Sequence, residues 1–249
     1  MADIEKHGNG GSVGHPGAPN QDTFPMGAGG TGGPPTLGAS GVQQHFYQGG
    51  LPLRTFANPA PLGLFSFAST TFILSLVNVN ARGVSTPNVV VGMALACGGL
   101  AQLLAGMWEF AAGNTFGATA FSSYGAFWIS WAVIEIPDSG VIAAYDNEDD
   151  LANALGFYLA AWFMFTFMML IASLRSNAGL ISLFFFLTLT FMFLMIAEFT
   201  GNNSVHETGG GFGIVTAAIA YYCACANLFS RDSSFVSLPL LPIPKPRTA

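Results

Sequence analysis

The sequence predicts an all-α membrane protein whose six transmembrane helices form two inverted three-helix repeats, and three observations predict it. Only 8% of the 249 residues are charged while 51% are hydrophobic, whereas a water-soluble domain carries about 25% charged residues; the mean hydropathy of +0.52 agrees. The apolar residues gather into six runs, each near the roughly 20 residues that a membrane helix needs. The ends of these runs also repeat: Glu109-Phe110 followed by Gly113-Asn114 closes the second, and Glu198-Phe199 followed by Gly201-Asn202 closes the fifth.

Residues 1–55 read as a disordered cytoplasmic tail. Stretches such as Gly27–Pro35 hold too little apolar surface to offset the entropy of ordering. Met1–Gly11 is polar and lacks an apolar signal core, so insertion is expected to start from an internal segment. The membrane domain spans residues 56–230, with helices expected at Pro61–Val79, Val89–Trp108, Phe116–Ile136, Leu151–Ser173, Gly179–Glu198 and Gly209–Phe229. Turn-forming residues separate them, among them Asn80-Ala81-Arg82-Gly83 and Pro137-Asp138-Ser139-Gly140. Residues 231–249 form a C-terminal tail. Basic residues beside short loops set orientation. A cytoplasmic N-terminus puts Arg54, Arg175, Arg231, Lys245 and Arg247 inside and leaves only Arg82 outside, so both termini are expected in the cytoplasm.

The repeat extends to the openings of the first and fourth helices, Pro61-Leu62-Gly63-Leu64-Phe65 and Ala154-Leu155-Gly156-Phe157-Tyr158. Three crossings are an odd number, so the second copy must insert upside down. Inverted repeats are a habit of transporters and channels, with the substrate site where the halves meet.

Several function classes are excluded or disfavoured. A net charge of -6 gives nucleic acid no clustered cations to bind. The three cysteines, Cys97, Cys223 and Cys225, lie in apolar runs and supply neither a disulfide framework nor a zinc ligand set. No nucleotide-binding motif is present. An enzyme wants a histidine within the bundle, yet His7, His15, His45 and His206 are all expected in the tail or a loop. Neither a cofactor nor a metal is expected.

The polar residues that remain are candidate binding groups. Asn58 and Pro59 stand before the first helix with Leu62 and Gly63 in its opening turn, where unpaired amides and the positive dipole end suit a carboxylate. The same geometry also describes an ordinary capped helix. Ser66, Ser69, Thr70 and Thr71 on the first helix, Thr119, Ser122 and Ser123 on the third, and Gln102 on the second are candidates for lining a pore; the alternative is hydrogen bonding to their own helix. Glu109, Glu135 and Glu198 end helices near the membrane interface. An intramembrane carboxylate suggests a proton relay, for which repeat-related Glu109 and Glu198 are the candidates, unless they only pin their loops.

Three motifs go further. Asn58-Pro-Ala-Pro-Leu-Gly-Leu64, Gly113-Asn-Thr-Phe-Gly117 and Ala120-Phe-Ser-Ser-Tyr-Gly-Ala-Phe-Trp128 closely resemble the acetate uptake transporter family. That group includes a bacterial succinate–acetate permease and fungal acetate and ammonia-export transporters; the Gly-rich extension is of the fungal type. The resemblance runs from about Asn58 to Phe229. It implies a urea-channel-like protomer in a homohexamer, each protomer with its own pore for acetate or a similar monocarboxylate, commonly described as proton symport. It also implies a hydrophobic constriction at Phe67, Tyr124 and Leu187, and places Ala220 and Tyr222 where pore shape and substrate size are set. A narrow apolar collar strips an anion of its water and gates by dewetting, while a neutral acid crosses at lower cost. The expected function is plasma-membrane transport of acetate and related monocarboxylates with protons; the alternatives are a passive weak-acid channel or an ammonium exporter.

Overall fold

The computed structural model describes residues 56–230 and 234–244, together with the backbone of 47–48 and 51–52. The tail expected at 1–55 otherwise lies outside the described residues, as do Arg54, Arg231, Lys245 and Arg247. Tyr47–Gln48 (β1) pairs antiparallel with Leu51–Pro52 (β2). All other regular structure is helical: α1 (Ala60–Asn78), α2 (Asn88–Leu95), α3 (Gln102–Ala111), α4 (Thr115–Glu135), α5 (Glu148–Ser173), α6 (Ala178–Thr200) and α7 (Asn203–Leu228). A π-helical stretch, Ala96–Ala101, joins α2 to α3, so the seven helices make six rods. Five rods are long and apolar enough to cross a membrane. The remaining one, α4, has 21 residues but is less apolar because Thr115, Thr119, Ser122, Ser123 and Ser130 interrupt it.

The rods are inside-out relative to a water-soluble bundle. Ser66, Thr70, Thr71, Ser75, Gln102, Thr166, Thr190 and Thr216 are buried, while Leu100, Leu104, Phe157, Met164, Met168 and Phe185 are exposed. Hydrocarbon accepts apolar side chains on the outer surface and leaves hydroxyls to find partners within the bundle. Several hydroxyls bond the carbonyl four residues back, as Thr70 does to Ser66 at 2.9 Å and Thr188 to Phe184 at 2.7 Å.

Asparagine starts the later rods. Asn114 accepts from the Gly117 amide at 3.0 Å, Asn177 from Leu180 at 2.9 Å and Asn202 from Ser204 at 3.0 Å; each oxygen satisfies an amide that the first turn leaves unpaired. Because Asn202 is a cap, α7 begins at Asn203, earlier than the expected Gly209. Before two of these caps the chain reverses through a glycine at positive φ, Gly113 at 79° and Gly201 at 61°, conformations that a Cβ disfavours. The matching Glu-Phe…Gly-Asn motifs thus form matching turns.

The most extensive helix pairings are α1 with α7, α6 with α7, α5 with α6, and α3 with α4. The π-helical stretch lies against α1 and α4, and there a Cβ on Gly98 would stand 2.7 Å from Thr70 Oγ1 and 2.8 Å from Trp128 Cδ1. Only a bare backbone fits. The segment 234–244 does not simply trail away. It returns to the turn between α5 and α6, where Ala178 N donates to Leu241 O at 3.0 Å and Ile243 N to Ser176 O at 3.1 Å. Leu240 packs on the core, and Tyr222 Oη donates to Pro239 O at 2.6 Å.

Candidate permeation site

A cavity lies between the rods. Phe67 and Leu187 lie towards one end of its lining, and Asn78, Glu198 and His206 lie towards the other. The side chains of α1 that line it climb in helical steps: Phe67, Thr71, Leu74, Asn78. On α6 they run from Leu187 through Phe191 and Leu194 to Glu198, and α4 supplies Phe127, Trp128 and Trp131. Eleven residues separate Leu187 from Glu198, about 16 Å along a helix at 1.5 Å per residue. The cavity is therefore lined mostly by apolar side chains, with the polar Asn78, Glu198 and His206 at one end.

The Phe67 end is an aromatic cluster. Phe67, Tyr124 and Leu187 are 5%, 3% and 2% exposed, and the Phe67 and Tyr124 rings lie 5.6 Å apart. Phe165 stands edge-on to Tyr124 at 5.4 Å, with Trp162 at 6.0 Å and Phe184 at 6.4 Å. Such contacts hold rings in defined orientations. Tyr124 Oη shares a 2.8 Å hydrogen bond with Thr166 Oγ1, which fixes the phenol and leaves the pair one further hydroxyl proton to offer. The structure thus brings the three expected constriction residues into one neighbourhood.

The other expected residues are dispersed. Asn58 accepts from the Ala60 amide at 3.0 Å, a capping contact, and Pro59 is half-buried beside it. Leu62 is 51% exposed, whereas the next residue, Gly63, is buried, and a Cβ there would lie 2.8 Å from the Phe121 ring. Ser66 and Thr70 are buried, 3% and 0% exposed, and are joined by the carbonyl bond above rather than lining the cavity. Thr119 donates back to Thr115 O at 2.8 Å, Ser123 is half-buried, and Ala220 is fully buried. Tyr222 faces outward; its neighbour Tyr221 points in and donates to Ser69 Oγ at 2.8 Å.

The carboxylates differ from one another. Glu198 lines the cavity, with Glu135 of α4 as its charged neighbour. Glu109 sits at the other end of the bundle, only 2% exposed; its Oε2 accepts from Asn114 Nδ2 at 2.8 Å, and its Oε1 has no hydrogen-bond partner among the described residues. It is a buried group of the turn between α3 and α4, not one reaching for headgroup water. Sequence reasoning also misplaced His206. The early start of α7 puts it in a helix and on the cavity, beside Asn78. The Asn202 cap was the signal that would have placed it. Trp128 and Trp131 were missed as lining residues because membrane helices carry such aromatics for many reasons. Among the described residues no group of three or more His, Cys, Asp or Glu is placed to hold a metal ion.

Comparison with known proteins agrees with this architecture. The ammonia transport outward protein 2 of Saccharomyces cerevisiae is 49% identical over 194 residues, covering 78% of this chain and 69% of that one. The acetate permease A of Emericella nidulans is 44% identical over 202 residues, covering 77% and 68%. Among solved structures, that of the bacterial acetate channel SatP superposes with a TM-score of 0.64 at 37% identity, covering 70% of this chain and 92% of that one. The model of the GPR1/FUN34/yaaH family matches residues 45–245, and with the helices and turns above this establishes that the chain belongs to the GPR1/FUN34/yaaH family.

Proposed function

We propose that this chain is a plasma-membrane transporter of acetate and related small monocarboxylates, coupled to protons, with one pore in each protomer of a hexamer. The observation that carries the reading is the Phe67 end of the cavity. Phe67 and Leu187 line the largely apolar cavity, and Tyr124 stands against Phe67 with its hydroxyl held by Thr166. A collar of this kind makes a carboxylate anion give up its water shell without replacement, which is costly, whereas protonated acetic acid presents a methyl group and a single neutral carboxyl. The relatives and the solved structure named for acetate support the same substrate. In this reading both termini are cytoplasmic, the cavity opens outward, and the matching turns at Gly113 and Gly201 belong to the two halves of an inverted repeat.

Glu198 and Glu109 flank the collar from opposite ends and serve as the proton relay. Glu198 lies about 16 Å outward of Leu187 along α6. Glu109 packs against Gly117, seven residues before Tyr124 on α4 and so about 10 Å from it. Asn58, Pro59, Leu62 and Gly63 at the opposite mouth, with Ser66, Thr70, Thr119, Ser123 and Ala220, shape the inner part of the path. A second reading, ammonia export, is favoured by the relative named for outward ammonia transport.

The roles separate in proteoliposomes. Tyr124→Ala is expected to abolish uphill acetate accumulation, since it removes the ring against which Phe67 stands. Glu109→Gln and Glu198→Gln are expected to keep downhill acetate flux and lose accumulation driven by a pH gradient. Unimpaired accumulation in both Gln variants would remove the relay. Ammonia flux without acetate flux in the unmodified protein would establish the second reading.

A further inference from the structure

Beyond α7 the segment 234–244 ties two helix ends together. Tyr222, in the last two turns of α7, donates from Oη to the Pro239 carbonyl at 2.6 Å. Ala178, the first residue of α6, donates to the Leu241 carbonyl at 3.0 Å, and Ile243 N donates to Ser176 O at 3.1 Å. Asn177 and Pro242 form an antiparallel bridge between these two bonds. A Cβ on Gly179 would stand 2.8 Å from Cys223 Sγ and 3.3 Å from Leu240 Cδ2. Leu240 therefore sits at the seam where the first turn of α6 meets α7.

The attachment is slight. Phe235, Val236 and Leu241 are exposed and Leu240 is half-buried, so little apolar surface holds the segment. Leu241 also sits at a φ of 52°, a left-handed conformation that a residue with a Cβ adopts at a cost. A segment held by a few hydrogen bonds opens locally far more often than the bundle unfolds. What it holds gives that opening a consequence. Leu187 follows Ala178 by nine residues on α6, about 14 Å along the helix. Phe67, Tyr124 and Leu187 are each at most 5% exposed, so the collar as it stands is closed. Phe67 and Tyr124 are fixed by their ring contact and by the Thr166 hydroxyl, whereas Leu187 is held by packing alone. Widening the collar thus falls to α6, and a tie between the start of α6 and α7 opposes it.

We propose that residues 234–244 are a releasable clamp that holds the start of α6 against α7 and keeps the collar closed, its release letting Leu187 withdraw. The collar's place on a transport path rests on the function proposed above, so the clamp is tested by readouts that need no flux. In the purified full chain in lipid nanodiscs, hydrogen exchange at the Ala178 and Ile243 amides reports docking of the segment. The rate at which a small thiol reagent modifies Leu187→Cys, resolved by peptide mass spectrometry, reports opening of the collar. Tyr222→Phe deletes one anchoring bond and Leu240→Asp puts a charge into the seam. Each is expected to speed exchange at both amides and to raise the modification rate about fivefold, the effect of one hydrogen bond. Leu241→Asn, which tolerates the left-handed conformation, is expected to slow both. Tyr222 is 40% exposed, so its variant reports even where Leu240→Asp folds poorly. Parental amides that exchange as fast as those of Tyr222→Phe, or freed amides with an unchanged modification rate, would overturn the clamp. Faster modification in the variants of a chain that carries no acetate would sink the transport reading and leave the clamp standing.

Discussion

Leu187→Trp is expected to bring protein-mediated acetate flux down to that of protein-free vesicles. Leu187 is 2% exposed and lines the cavity with Phe67. An indole there is much larger than the leucine it replaces and would fill space in the cavity that Leu187 lines. Overpacking in a core costs typically 1–3 kcal/mol, so the variant must first be shown to elute like the parent in detergent. A folded Leu187→Trp protein with parental flux would move the path away from this collar.

Gly106→Val is expected to destroy the fold rather than the pore. A Cβ on Gly106 would stand 2.6 Å from the Ser122 amide nitrogen and 3.1 Å from Ser122 Cα, and backbone cannot swing aside as a side chain does. On the facing helix, a Cβ added to Gly125 would stand 2.8 Å from Leu103 N. The α3–α4 pair thus depends on small residues at close approach. Separating it is expected to cost about 3 kcal/mol or more, seen as loss of the monodisperse peak or a large fall in the unfolding temperature. Gly92→Ala is the control. An added methyl there meets nothing within 4 Å, so stability is expected to hold or rise slightly through helix propensity. Equal behaviour of the two variants would contradict the packing account.

Much of the architecture was legible in the residues because lipid imposes a simple length rule, and all six rods overlap the expected spans. The motifs around Asn58, Gly113 and Tyr124 carried the family as well. What failed was direction. These rods are apolar on every side, so no amphipathic stripe tells which face looks inward. That is why Leu62 joined Gly63 as a candidate although one is exposed and the other buried, and why Ser66 and Thr70 stood beside Thr71 as candidates although of the three only Thr71 lines the cavity. The π-helical stretch Ala96–Ala101 also rotates α3 relative to α2, an effect invisible to a fixed helical period. His206 was lost to a boundary error of less than two turns. The docking of 234–244 depends on backbone pairing with Ser176 and Ala178, a tertiary event without a local signature in its alternating prolines.

The most direct measurement is uptake of labelled acetate into proteoliposomes containing the purified protein, with and without an inward proton gradient, after subtraction of protein-free vesicles. Saturable uptake that rises above the external concentration under the gradient, and collapses when a protonophore is added, is the predicted result. No acetate flux above the protein-free control, in protein that remains folded, would contradict acetate transport by this chain.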